Sequence, residues 1–152
     1  MPLVAVVIGS KSDTEMIQPA IDICRDLGIE CELSVVSAHR TPEKAREFAK
    51  SAKTRGVEVI IAAAGGSAHL PGVIASWTTL PVIGVPLASS ELKGMDALYS
   101  IVQMPAGIPV ACVAVGGWGV KNAAYLAAEI LGLKYNSIRE AYDRFRSELA
   151  RS

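Results

Sequence analysis

Apolar positions along this chain fall into short unbroken runs. Between the runs lie longer stretches in which apolar residues recur every three or four positions. Leu3-Val4-Ala5-Val6-Val7-Ile8 is apolar throughout, which is how a parallel strand covered on both faces reads. Residues 30–36, 57–63, 81–86 and 109–115 are predicted as four more strands. The fourth has prolines at its ends, where a strand tolerates them. Ile17, Ala20, Ile21, Cys24 and Leu27 follow the first strand at helical spacing. Ser12 and Glu15 have capping-box spacing, and Gly28 is placed as a C-cap. Ala45, Phe48, Ala49 and Ala52 mark a second helix, which starts at Thr41-Pro42-Glu43 and is closed by Gly56. A short helix ending near Trp77, a helix over 92–102 and an Ala-rich helix over 122–131 follow the later strands.

The tail carries an apolar stripe, Ile138, Ala141, Tyr142, Phe145 and Leu149, on an otherwise charged helix of about 135–151. It either covers the chain's own sheet or packs on a neighbouring subunit. The small residues around Asn122-Ala123-Ala124 also suggest a surface for subunit contact. Five strands alternating with helices predict an α/β fold, a three-layer α/β/α sandwich around a parallel sheet. The crossover rule and the Gly-rich first turn favour a flavodoxin-like order. No repeat or linker interrupts the chain, so residues 1–152 are expected to form a single domain.

Fifteen basic residues balance fifteen acidic ones, leaving no electrostatic footprint for nucleic acid or an anionic membrane. A hydrophobic content of 51% supports a large core, and an aromatic content of 5% argues against a base-stacking platform. Cys24, Cys31 and Cys112 lack metal-ligand spacing and read as thiols in a reducing compartment. The apolar start runs into Gly9-Ser10-Lys11-Ser12-Asp13 without a basic leader, and no apolar run reaches the length of a membrane span. A cytoplasmic protein is expected.

The chemistry gathers where strands end. In Ser37-Ala38-His39-Arg40-Thr41-Pro42 an imidazole that can exchange protons near neutrality sits beside a guanidinium that grips phosphate. The plain alternative is a polar loop in which Thr41 caps a helix and Pro42 takes its first position. The first loop offers Ser10, Ser12 and Asp13 with backbone amides at a helix start, an anion site without a Walker or dinucleotide pattern. Asp13 would repel phosphate and suits sugar hydroxyls instead. The third loop, Gly65-Gly66-Ser67-Ala68-His69, offers close backbone approach and the chain's second histidine. Taken alone, His69 reads as a structural cap. Two histidines without a nearby carboxylate or thiol cluster are too few for a metal site. A proton carrier beside a phosphate anchor suggests an enzyme acting on a phosphorylated small molecule.

These three loops, extended through Leu70-Pro71-Gly72 and joined by Leu98-Tyr99-Ser100-Ile101-Val102-Gln103-Met104-Pro105, resemble the PurE family. Its members are 5-(carboxyamino)imidazole ribonucleotide mutases of de novo purine biosynthesis. The resemblance covers essentially the whole chain. It implies a flavodoxin-like subunit, a homo-octamer, and no metal or organic cofactor. A second class in the family carboxylates aminoimidazole ribonucleotide directly with carbon dioxide and lacks the His-Leu-Pro-Gly run. His69-Leu70-Pro71-Gly72 therefore favours the mutase class. Ala63 and Ser67 stand where the family usually has glycine and alanine, which leaves details of the carboxyl pocket open.

The resemblance implies that the carboxyl group moves from the exocyclic nitrogen to ring carbon four. It also implies His39 as proton shuttle and Arg40 on the phosphate, with Ser10, Ser12, Ser37 and nearby amides assisting. Asp13 would bind the ribose. Amides of Gly65, Gly66, Ser67 and Ala68 would face the carboxylate, and His69 and Leu70 would close the pocket or only orient the loop. Direct carboxylation, or nucleotide binding without chemistry on a flavodoxin-like fold, are the alternatives.

Overall fold

The computed structural model describes residues 1–152. Five parallel strands form one sheet: β1 (Val4–Ile8), β2 (Cys31–Val35), β3 (Val59–Gly65), β4 (Val82–Leu87) and β5 (Ala111–Cys112), in the order β2-β1-β3-β4-β5. Six helices join them: α1 (Thr14–Asp26), α2 (Pro42–Ala52), α3 (Leu70–Trp77), α4 (Met95–Val102), α5 (Gly117–Gly132) and α6 (Asn136–Arg151). This is the expected three-layer α/β/α sandwich with the flavodoxin-like order.

Alternate residues of the inner strands β1, β3 and β4 feed two separate cores, as the two-residue pleat requires. Val4, Val6, Ile8, Ile61 and Val85 pack with α1 and α5 on one face. Ala5, Val7, Ile60 and Ala62 pack with α2, α3 and α4 on the other. Because both faces are covered, these strands show no alternation in sequence. Gly84 lies where a side chain would strike Ile101 Cγ2 at 2.5 Å, so this glycine lets α4 sit close on β4.

Several boundaries differ from the sequence reading: β3 lies two residues later than expected and α4 starts at Met95, three residues late. A 3-10 turn at Lys11–Asp13 precedes α1, and Ser10, not Ser12, caps it by accepting the Ser12 amide. β5 keeps two paired residues instead of seven, because Ala114 turns to φ +146° and the Gly116 amide bonds back to the Pro86 carbonyl. α5 begins at Gly117, five residues before the expected start. Gly119 allows the approach, since a Cβ there would lie 2.2 Å from the Ala114 carbonyl oxygen.

The small face of α5 is not free. Ala123, Ala124, Ala127 and Ala128 are wholly buried against the chain's own core. α6 lies on the outside of α5, anchored by buried Ile138 and by a Tyr125–Phe145 stack with centroids 4.4 Å apart. Glu58, the lone charge just before β3, receives hydrogen bonds from Lys134 Nζ at 2.7 Å and Tyr135 Oη at 2.5 Å. Those two donors, Lys134 foremost, hold its carboxyl below the usual carboxylate range.

Candidate active site

In an open parallel sheet, ligands bind beyond the carboxyl ends of the strands, where the strand order reverses. Here that point lies between β1 and β3. A cavity of about 370 Å³ opens there, within the size range of roughly 300–1,000 Å³ for small-molecule sites. Three loops supply Ser10, Ser12, Asp13, Ser37, His39, Arg40, Gly65, Ala68, His69 and Leu70, all singled out from the sequence. Gly66 and Ser67 are not part of the lining. Ala63 is fully buried in β3 within the α1–α5 core, so neither departure from the family pattern touches the cavity wall.

Each loop is braced by its own polar atoms. In the first, Ser10 Oγ lies 2.9 Å from Ser12 Oγ and accepts the Ser12 amide, while the Asp13 amide donates to the Ser10 carbonyl. Two of the amides expected to face an anion are thus engaged within the turn. Asp13 is the one buried charged residue of the chain, 8% exposed, and its carboxylate accepts no hydrogen bond from the protein. Burial pushes its carboxyl above the ordinary value of 3.8.

In the second loop, Thr41 does not cap α2. Its hydroxyl donates to the Ser37 carbonyl and accepts the Ser37 amide, both at 3.0 Å, closing the loop on itself. Ser37 Oγ accepts the Arg40 amide at 3.0 Å. The two side chains between these ties, His39 and Arg40, project from a fixed backbone. The Arg40 guanidinium takes no part in the chain's ion pairs, so the cavity holds a free cation.

In the third loop, Gly66 at φ +57° and Ala68 at φ +39° turn the chain into α3. A residue with a Cβ in that region costs roughly 1–2 kcal/mol. The Ala68 amide donates to the Gly65 carbonyl at 3.0 Å and is therefore not available to a carboxylate. The loop brings His69 across to His39, with Nε2 of His39 2.7 Å from Nδ1 of His69.

Ser89, just beyond β4, also lines the cavity and went unnoticed in the sequence. The one signal for it was its place in the fourth strand-end loop. Together the site offers an acceptor, a cation, hydroxyls and two imidazoles, a set suited to holding a phosphorylated sugar and moving a proton on the group attached to it.

A family model described as AIR carboxylase matches residues 3–152. The N5-carboxyaminoimidazole ribonucleotide mutase of Saccharolobus solfataricus is 56% identical over 149 residues, covering 98% of this chain and 93% of that protein. The protein of the same name from Pseudomonas aeruginosa is 54% identical over 145 residues, 95% of this chain and 89% of its own. The crystal structure of Treponema denticola PurE superposes with a TM-score of 0.89 at 31% identity, over 99% of this chain and 93% of that one.

Proposed function

The chain belongs to the AIR carboxylase family, and we propose that it acts there as an N5-carboxyaminoimidazole ribonucleotide mutase of purine biosynthesis. The reaction moves the carboxyl group of the substrate from the exocyclic nitrogen to ring carbon four. The observation that carries this reading is the convergence of His39, Arg40, Asp13 and His69 on one cavity at the β1–β3 switch point. The relatives named as mutases are more than half identical over nearly the whole chain.

The chemistry assigns a task to each group. Arg40, uncommitted and planar, grips the phosphate. Asp13, buried without a donor, accepts from ribose hydroxyls. His39 protonates the exocyclic nitrogen as its bond to the carboxyl carbon breaks. Carbon dioxide stays in the cavity and is attacked by ring carbon four, and His39 then takes the proton from that carbon. Holding the released fragment against its partner replaces an encounter in solution and is worth roughly 7–11 kcal/mol. The His69-Leu70-Pro71-Gly72 run, absent from the direct carboxylases of the family, opens α3 with Leu70 and Pro71 buried. It supports the mutase over the carboxylase.

A cytoplasmic homo-octamer is part of the proposal. No helix of the chain is long and apolar enough to cross a membrane. Leu133 and Trp118, 87% and 82% exposed, are large apolar side chains left open on the single chain, which suits burial against other copies. The test is isomerisation of the carbamate substrate by purified protein without ATP, read by product absorbance. No turnover of the carbamate, with bicarbonate-dependent carboxylation of aminoimidazole ribonucleotide instead, would replace this reading with the direct carboxylase.

A further inference from the structure

The two histidines of the chain touch each other. Nε2 of His39 and Nδ1 of His69 are 2.7 Å apart, and the rings meet edge to face at 87° with centroids 4.8 Å apart. Two ring nitrogens at this distance share one hydrogen, carried by one and accepted by the lone pair of the other. The contact therefore locks the tautomers of both rings together. If His39 donates, it carries its proton on Nε2 and has a bare lone pair on Nδ1. His69 then accepts on Nδ1 and carries its own proton on Nε2. If His69 donates, both rings are in the Nδ1–H form and His39 has no second lone pair to offer. For a neutral histidine side chain the Nε2–H form is intrinsically the more stable, so the first arrangement suits both rings and the second suits neither. His39 Nδ1 and His69 Nε2 have no hydrogen-bond partner in the protein, so no other contact selects between the two arrangements.

We propose that His69 is a positioning residue for His39: by accepting the Nε2 proton it fixes the tautomer whose Nδ1 is free to exchange a proton with the substrate. The consequence for turnover rests on the mutase reading, and the tautomer does not. Through the cycle the Nε2–H of His39 stays on His69. Protonated His39 gives its Nδ1 proton to the exocyclic nitrogen, which keeps the electron pair of the broken N–C bond as carbon dioxide leaves. Neutral His39 then takes the proton from ring carbon four at the same Nδ1, and the electron pair of that C–H bond returns to the ring.

Because the chain has two histidines, nitrogen-15 labelling of histidine gives four ring-nitrogen signals. In alkaline buffer the intact protein should show both rings as Nε2–H. His69→Leu should leave His39 as a mixture of tautomers. It should lower kcat by roughly 10–100-fold with KM little changed, by analogy with the loss of a partner that orients a metal-bound histidine. His69→Asn places an amide oxygen near the position of Nδ1 and should restore the Nε2–H form of His39 and most of the turnover. Finding His39 as Nδ1–H in the intact protein overturns the proposal, as does a His69→Leu protein with unaltered tautomer and kcat. The expected spectrum in a protein that does not isomerise the carbamate would support the pairing and overturn the functional reading.

Discussion

Ser89 stands where any residue other than glycine at position 65 would put its side chain: a Cβ on Gly65 would lie 1.7 Å from Ser89 Oγ and 3.0 Å from Ser89 Cβ. The ends of β3 and β4 are thus fitted to each other at the wall of the cavity, and the hydroxyl of Ser89 is held there by space, not by a hydrogen bond. Gly65→Ala should push that hydroxyl out and strain the loop, at about 1–3 kcal/mol for overpacking. Adding Ser89→Gly should recover the melting temperature. If the Ser89 hydroxyl serves the substrate, the double variant should not recover turnover. A Gly65→Ala protein with unchanged stability and turnover would show that the two loops move apart freely.

Much of this arrangement was legible in the chain, and the reasons for the rest are local. β1 and β3 are inner strands and wholly apolar, so their positions could be read to within two residues. Their facing could not, because Ala5 and Val7 are as apolar as Val4 and Val6 while packing on the opposite side. β5 is an edge, and its apolar run belongs partly to a turn that serves α5. The start of α5 was hidden by Gly116, Gly117 and Gly119, which look like a loop until the close approach of the Ala114 carbonyl is known. The histidines and the arginine stood out because they are rare types at strand ends. Ser89 did not, since a serine in a loop carries no pattern. Nor could spacing show that the Ala68 amide is already used by Gly65.

Assembly is the second prediction. The small face of α5 is occupied by its own chain, so subunit contacts must use other surfaces, such as exposed Trp118, Leu133 and the outer side of α6 with Leu149. Light scattering should give a mass of about eight chains, and Trp118→Glu or Leu133→Glu should lower it. A monomer at micromolar concentration would remove the octamer from the proposal.

Anchoring by Arg40 is the third. Arg40→Ala should weaken nucleotide binding by roughly 1.5–3 kcal/mol, the worth of a hydrogen bond to a charged group. Arg40→Lys should recover part of that, because a point charge cannot form the two-pronged contact. The fold should be unaffected, since the guanidinium has no ion-pair partner. Unchanged affinity in Arg40→Ala, measured by calorimetry with the product nucleotide, would move the phosphate elsewhere.

Asp13 makes a prediction about pH. Its carboxyl is raised above 3.8 by burial, so the folded chain holds that proton more tightly than the unfolded one. The stability linked to this group is therefore greatest below the unfolded value and falls as pH rises through the folded one. At neutral pH the ionised, unpartnered carboxylate is a standing cost. Asp13→Asn should therefore raise the melting temperature at pH 7, with the gain shrinking in acid, and should weaken nucleotide binding because a charged acceptor is lost. A variant less stable than the original at pH 7 would mean that the carboxylate has a partner within the fold.

The last prediction concerns His39. Its backbone is held by the Ser37–Thr41 ties on either side, and its side chain bonds only to His69, so the fold does not depend on the imidazole. His39→Asn should keep the melting temperature, the assembly and nucleotide binding. It should lose turnover, since an amide does not exchange protons near neutral pH. General acid–base catalysis supplies roughly 10²–10⁴-fold, and the loss should lie in or above that range. His69→Asn should be milder, because it leaves the exchanging nitrogen in place. The competing account is that His39 only braces the loop through His69. In that case both variants should lower the melting temperature together and leave turnover per folded subunit nearly intact. Melting temperature, nucleotide affinity and turnover measured on one preparation separate the two accounts. A stable, nucleotide-binding His39→Asn protein with near-normal turnover would end the assignment of the shuttle to His39 and move it to another group lining the cavity.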